Sequence, residues 1–250
     1  MGATESLRLS EDDYDFGILH PAMRRMYEGS DFYNFGYWRS ADGSRLDRLK
    51  DASARLVELH YEVDADHAAV GRVLDVACGL GACTQLFSQG YPNAQVTGVN
   101  YSAQQIEYAT KRYADDRVSF RQMNACDLGF DDDSFDRVHC VEAAMHFRPR
   151  SKFLAEACRV LAPGGRLFMT DILADEALSI MPEENVLPTA ESYTDAMQAA
   201  GFTDVEIRSI GDDVLPFFAG VLNAHAMRAF ARGLGTKLND YVLVSGRKPG

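Results

Sequence analysis

Val73-Leu-Asp-Val-Ala-Cys-Gly-Leu-Gly81 runs without interruption into Ala82-Cys-Thr-Gln-Leu-Phe87. Apolar strand formers lead into a turn with glycines two residues apart, and a helical pattern opens directly behind it. Glycine at 79 and 81 supplies dihedrals that a Cβ obstructs and lets a ligand approach the backbone. P-loops and dinucleotide folds use relatives of this turn, so its details decide between them. A P-loop requires Gly-Lys-Ser/Thr, which is absent. A dinucleotide fingerprint wants glycine where Thr84 stands and an acid where Asn100 stands. Asp75, just inside the turn, is badly placed beside a pyrophosphate. It suits a cationic ligand, directly or through water, and a sulfonium carrying an α-amino group is such a ligand.

Outward from this loop, strand and helix signals alternate over residues 70–174. Short apolar runs at Arg72–Ala77, Gln95–Asn100, Val118–Met123, Phe135–Val141 and Arg166–Ile172 enclose helical patterns at Ala82–Gln89, Ser102–Ala114 and Lys152–Val160. The alternation predicts a parallel sheet with helices on both faces. Pro163-Gly-Gly165 reads as a breaker between the last of these helices and its strand. Residues 1–69 are polar and aromatic-rich, with Phe32-Tyr-Asn-Phe-Gly-Tyr-Trp38 at their centre. A helix over roughly Ser44–His60 follows, with Leu46, Leu49, Ala52, Leu56 and Leu59 at helical spacing to meet the core. Beyond residue 175, Glu191–Ala200 reads as a helix and Thr203–Ile210 as a strand. Asp213–Arg232 reads as one long amphipathic helix, and Asp240–Ser245 as a last strand. That ending predicts a reversed hairpin at one sheet edge. The chain therefore divides into an N-terminal lid, 1–69, and a core, 70–250, with a helical cover at about 212–233.

The 250 residues carry 25 basic and 37 acidic side chains, a formal charge of −12, and 46% are hydrophobic. This composition excludes a disordered or fibrous chain and disfavours nucleic acid or an anionic membrane surface as partner. No apolar run approaches the 18 residues of a membrane span. The polar start lacks the apolar stretch of a secretion signal, and Gly2 with Ser6 matches an acylation site only loosely. The expected location is cytoplasmic. Five cysteines without a Cys-x-x-Cys pair read as reduced residues rather than zinc ligands. A lid-swapped homodimer is compatible with the aromatic N-terminal segment, though nothing demands one.

At this point the loop resembles motif I of the class I S-adenosylmethionine-dependent methyltransferases, with Ala77 where many members carry glycine. The resemblance continues in order. Val96-Thr-Gly-Val-Asn-Tyr-Ser-Ala-Gln-Gln-Ile106 is similar to the second-strand motif of sterol, cyclopropane and natural-product members. Met123-Asn-Ala-Cys-Asp-Leu-Gly-Phe-Asp-Asp-Asp-Ser-Phe-Asp136 resembles the adenine loop, Arg159-Val-Leu-Ala-Pro-Gly-Gly-Arg-Leu167 the signature after strand four, and Phe35-Gly-Tyr-Trp38 a small-molecule lid. It implies an α/β fold with a seven-stranded, mostly parallel Rossmann-like sheet, helices on both faces and an antiparallel last strand. It also implies S-adenosyl-L-methionine as cofactor. Carried over by position, Ala77 and Gly79 would pass backbone close to the methionine part while Gly81 allows the turn. Asn100 and Gln105 would reach the ribose, and Tyr101 would flank the adenine. Asn124 would meet the adenine amino group, the Ala125 N–H a ring nitrogen, and Tyr33 the methionine carboxylate.

Methyl transfer from a sulfonium is an in-line displacement, so the protein must align the groups and accept a proton where the nucleophile is a hydroxyl. His146, in Val141-Glu-Ala-Ala-Met-His-Phe147 just past the fourth strand, falls at the carboxyl ends of the strands, where ligands bind in such sheets. An imidazole there can take a hydroxyl proton near neutral pH. Many small-molecule members resemble this chain in carrying a histidine at that position. The plainer alternative is a helix-capping or pocket-lining role. Glu142, one turn before it, reads first as a solvated or lid-bonded glutamate. Asp131-Asp-Asp133 reads as a solvated turn, and Asp171 lacks a second acid beside it, so no metal is expected. His20, His139 and His225 have weaker claims than His146. Tyr37, Trp38 and Phe147 are the candidate substrate contacts. With Phe32, Tyr33 and Phe35 ahead of the core and Phe217, Phe218, Met227 and Phe230 behind it, they suit an apolar pocket; simple helix packing is the alternative for the second set. The expected reaction is methylation of a hydroxyl on a small, largely apolar metabolite. Carbon or nitrogen methylation, a noncatalytic binding protein and a nicotinamide dehydrogenase are the alternatives.

Overall fold

The computed structural model describes residues 20–178 and 181–250. The first nineteen residues of the expected lid, with Gly2 and Ser6, lie outside the described residues. Among the described residues the strands are β1 (Arg72–Val76), β2 (Gln95–Asn100), β3 (Val118–Gln122), β4 (Phe135–Val141), β5 (Leu161–Ala174), β6 (Thr203–Ser209) and β7 (Leu238–Arg247). The helices are α1 (Pro21–Met26), α2 (Leu49–Glu62), α3 (Ala82–Gly90), α4 (Ala103–Tyr113), α5 (Arg150–Val160), α6 (Ala190–Ala199), α7 (Leu215–Ala224) and α8 (Arg228–Lys237).

The strands form one seven-stranded sheet in the order β3-β2-β1-β4-β5-β7-β6. All neighbours pair in parallel except β7, which runs antiparallel to both β5 and β6. Central strands β1 and β4 are buried nearly throughout, as a sheet covered on both faces requires, whereas edge strand β6 is largely exposed. Leu74, Val138, Met169 and Val242 face Leu154 of α5 and Met197 of α6. Val73, Val96, Ile172 and Leu243 face Leu56 of α2 and Phe87 of α3. Helix α2, counted with the lid in the sequence reading, is thus a layer of the core. A third cluster joins lid to cover, with Met26, Trp38 and Leu49 meeting Phe218, Leu222 and Leu234.

Three boundaries differ from the sequence reading. Pro163-Gly-Gly165 does not break the strand but lies within β5, where the register slips: Phe135 and Arg137 of β4 face Leu161 and Arg166. The extra residues bulge out as the ladder resumes. The single long helix over Asp213–Arg232 is two helices, and the cover extends to Lys237. Ala226 takes the left-handed position (φ 61°) normally given to glycine, while the Met227 N–H reaches back to the Leu222 carbonyl. The expected helix from Ser44 begins only at Leu49, because residues 39–46 fold back on themselves. Arg39 bridges Arg45, the Leu46 N–H donates to the Trp38 carbonyl, and Asp42 takes the Ser44 N–H.

Candidate active site

In this strand order the chain reverses direction between β1 and β4. The loop after β1 turns to α3 on one face and the loop after β4 to α5 on the other, opening a crevice at their carboxyl ends. The first residue past each strand, Ala77 (φ 63°) and Glu142 (φ 53°), is a non-glycine residue held left-handed. Each costs about 1–2 kcal/mol, and such strain gathers at functional sites.

Between β1 and α3, the Cys78 N–H donates to the Val99 carbonyl and the Gly81 N–H to the Cys78 carbonyl, which closes the turn. The two glycines serve different ends. A Cβ on Gly81 (φ 93°) would stand 2.9 Å from Ala109 Cβ and 3.0 Å from both Phe120 and Tyr113. Gly81 is therefore required by the packing of α4 and β3. A Cβ on Gly79 (φ 54°) would meet only Gln105 Oε1, at 3.9 Å. That face of the loop is open to a ligand. Thr84, in the place of a third glycine, donates its hydroxyl to Asp75 Oδ2 at 2.7 Å. Room for it comes from Gly98 on β2, whose Cβ would lie 2.7 Å from Thr84 Oγ1. Asp75 is 1% exposed, and burial raises its pKa to about 7 against the relief given by Thr84.

Asn100 and Gln105 come together: Asn100 Nδ2 donates to Gln105 Oε1 at 2.8 Å, with Ser102 capping α4 between them. Tyr101 is exposed beside this pair. The Met123 N–H donates to the Asn100 carbonyl, which brings the 123–127 turn alongside. There Asn124 is exposed, its Oδ1 taking the Cys126 N–H at 2.9 Å, and Ala125 is buried. The loop glycine and the amide pair thus fit a nucleoside ligand whose amino-acid arm follows the 77–79 backbone.

The lid closes over the loop. Met23, Tyr27, Phe32 and Tyr33 of the lid gather around Leu80 of the loop. Tyr33 is 43% exposed and lies 5.1 Å, centroid to centroid, from Tyr27. Burial, then the Glu142 charge, pushes the Tyr33 hydroxyl up to about 12. Glu142 is lid-bonded: its Oε2 accepts the Phe35 N–H at 2.8 Å and the Tyr241 hydroxyl at 2.5 Å. Burial raises Glu142 to about 8. A second tie escaped the sequence reading. Asp31 accepts from Arg24 and from the Tyr108 and Tyr113 hydroxyls of α4. Nothing about a lone aspartate in a lid announces partners some eighty residues away.

His146 ends a short 3-10 turn, Ala144–His146, directly beyond β4 and half-buried at the crevice. Phe147 lies edge-on to Phe153, 4.9 Å between centroids, against the α5 core. Tyr37 and Trp38 are drawn away into the lid–cover contact. The Tyr37 hydroxyl donates to Asp213, the Trp38 N–H to the Phe35 carbonyl, and Trp38 stacks on Phe217. Phe35 stacks on Phe218 at 4.2 Å, so much of the two aromatic sets is spent on mutual packing. Asn185, another residue the sequence reading missed, hydrogen-bonds the carbonyls on both sides of His146. The acidic run is a turn in which Asp132 and Asp133 pair with Arg159 and Lys248.

The methyltransferase-domain family profile matches residues 74–169. Methyltransferase GfsG of Streptomyces halstedii is 34% identical over 256 residues, covering 91% of this chain and 90% of its own length. The chain belongs to the class I S-adenosylmethionine-dependent small-molecule methyltransferases. This methyltransferase also matches erythromycin 3''-O-methyltransferase of Saccharopolyspora erythraea, 28% identical over 88% of the chain and 84% of that protein. Among solved structures, geranyl diphosphate C-methyltransferase from Streptomyces coelicolor A3(2) superposes with a TM-score of 0.76 at 17% identity, over 99% of the chain and 100% of its own. S-adenosylmethionine is the cofactor, and the seven-stranded sheet is the family's fold. No helix among the described residues is long and apolar enough to cross a membrane.

Proposed function

We propose that this methyltransferase methylates a hydroxyl of a small, largely apolar natural product, with His146 as general base. What supports the reading is that His146 ends the short turn just past β4, at the carboxyl end of that strand, and is half-buried rather than packed into the core. The O-methyltransferase relatives support the hydroxyl acceptor. The cofactor, when bound, supplies a methyl carbon already activated on a positively charged sulfur. In this reading Ala77, Gly79 and Asp75 hold its methionine portion with Tyr33, Asn100 and Gln105 take the ribose, and Tyr101, Asn124 and Ala125 enclose the adenine. Lid and cover exclude water, Phe147 borders the acceptor from its place against Phe153, and His146 takes the hydroxyl proton as the acceptor oxygen displaces the sulfur from the methyl carbon.

The test incubates the protein with S-adenosylmethionine and a panel of hydroxylated macrolides and polyketides, following S-adenosylhomocysteine formation and locating the new methyl by NMR. The expected product is a methyl ether, and His146→Ala should lower kcat by about 10²–10⁴. An equally fast variant removes His146 as base. A methyl found on carbon or nitrogen overturns the hydroxyl assignment while leaving the family intact.

A further inference from the structure

Asn185 is 1% exposed and lies in a 3-10 turn, Glu183–Asn185, between β5 and α6. Its Nδ2 donates to the Met145 carbonyl at 2.9 Å and to the Phe147 carbonyl at 2.6 Å. Its Oδ1 accepts the N–H of Arg150, the first residue of α5, at 2.8 Å. The carbonyls of the residues before and after His146 and the start of the next helix are therefore held by one side chain. The amide can point only one way, since flipping it would set its oxygen against two carbonyls and its NH₂ against an N–H. No other residue type of this size offers two donors and one acceptor in that geometry. Asp would bring a carboxylate against two carbonyl oxygens, and Leu would strand three buried polar groups.

The far side of the clamp is fastened as well. The Arg150 guanidinium is buried 3.1 Å from Asp171 and lies over the Tyr193 ring at 5.3 Å, and Tyr193 donates to Asp171 at 2.7 Å. Met145 is 3% exposed and Phe147 packs on Phe153. His146 is thus a half-buried residue between two fixed neighbours.

We propose that Asn185 is a positioning residue that fixes His146 in the crevice, acting through the Met145 and Phe147 carbonyls and touching no substrate. The proposal rests on the reading of His146 as base. Misplacing a catalytic group by about 1 Å can cost about 100-fold in rate.

The experiment compares Asn185→Ala, Asn185→Asp, His146→Ala and the Asn185→Ala/His146→Ala double variant, each saturated with S-adenosylhomocysteine. Histidine Cε1–H resonances are titrated by NMR, the His146 signal being the one that His146→Ala removes, and kcat is measured with the acceptor found above. Calorimetric S-adenosylhomocysteine affinity within about threefold of native verifies folding, and Asn185→Asp, close in size, serves if the alanine variant fails to fold. The expected result is a His146 signal displaced with a shifted midpoint in both Asn185 variants. kcat should fall by about 10–100-fold, and the loss should vanish in the His146→Ala background. An unmoved His146 signal overturns the proposal. So does a rate loss of equal size in both backgrounds, which marks a structural role. The base assignment is read separately from His146→Ala alone. Should that variant be as fast as native, the base reading falls and the proposal with it, whatever the resonances show.

Discussion

Gly79 and Gly81 sit two residues apart in one turn, yet alanine at each should fail in a different assay. At Gly81 the left-handed backbone costs alanine about 1–2 kcal/mol. Its Cβ also comes within 2.9–3.0 Å of Ala109, Phe120 and Tyr113, which adds about 1–3 kcal/mol of overpacking. The sum, about 2–5 kcal/mol, corresponds to a Tm lower by about 4–20 °C for a chain of this size. At Gly79 the backbone term is the same, but the added carbon meets only Gln105 Oε1 at 3.9 Å, so about 1–2 kcal/mol and a Tm shift of about 2–8 °C are expected. The Gly79 Cβ would occupy space that the proposed site gives to the cofactor. Gly79→Ala should therefore weaken S-adenosylhomocysteine binding at least about tenfold, or about 1.4 kcal/mol. Folded Gly81→Ala should bind within about threefold of native. Thermal unfolding of the apo proteins and titration calorimetry together read all four quantities. Native affinity in Gly79→Ala with lost affinity in an equally stable Gly81→Ala would refute the reasoning.

Glu142→Gln should change how stability depends on pH. A carboxyl raised from an ordinary 4.5 to about 8 binds a proton in the folded chain that the unfolded chain has released, so native stability falls as pH rises from about 4.5 to 8. Glutamine keeps an acceptor for Phe35 and Tyr241 without that penalty. Relative to native, the apo variant should gain on the order of 3–5 kcal/mol between pH 4.5 and 8, and a Tm difference independent of pH would sink the idea. Asp64→Asn should cost about 3–5 kcal/mol, because it leaves the Arg137 guanidinium, now bound to Asp64 at 2.6 and 3.0 Å, charged and unpaired. Urea unfolding reads this, and a loss below 1 kcal/mol would contradict it. Trp38→Ala should cost about 3–5 kcal/mol. Hydrogen exchange should rise in residues 20–48 and 215–237 with β1–β4 unchanged; uniform acceleration would show that Trp38 is not a local tie.

The parts of the fold legible in the sequence are those whose signal is local. Strands β1–β5 announce themselves as short apolar runs with helices between, and the loop at 79–81 as glycines between a strand and a helix. Asn100 and Gln105, taken from the family resemblance, lie close in sequence and bond each other across the Ser102 cap. Missed features depend on partners distant in sequence. The slip in β5 exists because β4 opposes it, and Ala226 ends a helix without the glycine that would mark it. Asn185 and Asp31 matter through residues 35 to 82 positions away. Aromatic content misled in a definable way: Tyr37 and Trp38 were expected to line a pocket, but a large ring between two covers gains more by packing against the other cover.

The buried histidines form a directed polar chain through the core. Burial holds both His60, at about 3, and His139 well below the ordinary imidazole value, so each ring is neutral and carries one N–H. Tyr91 donates to Asp64, so its oxygen must accept from His139 Nε2, 3.0 Å away. His139 Nδ1 is then an acceptor, and the 3.4 Å contact to His60 is made by the His60 Nδ1–H. His60 Nε2, now without a proton, must accept from the Thr170 hydroxyl at 3.3 Å. One direction of donation satisfies the whole chain, from Thr170 on β5 through α2 and β4 to the Asp64–Arg137 pair. The tautomers of both rings are thus fixed by the ion pair at one end of this chain. A side chain inserted there must satisfy that direction as well as fill the space, which is why hydrophobic replacement of His60 or His139 would disturb more than volume.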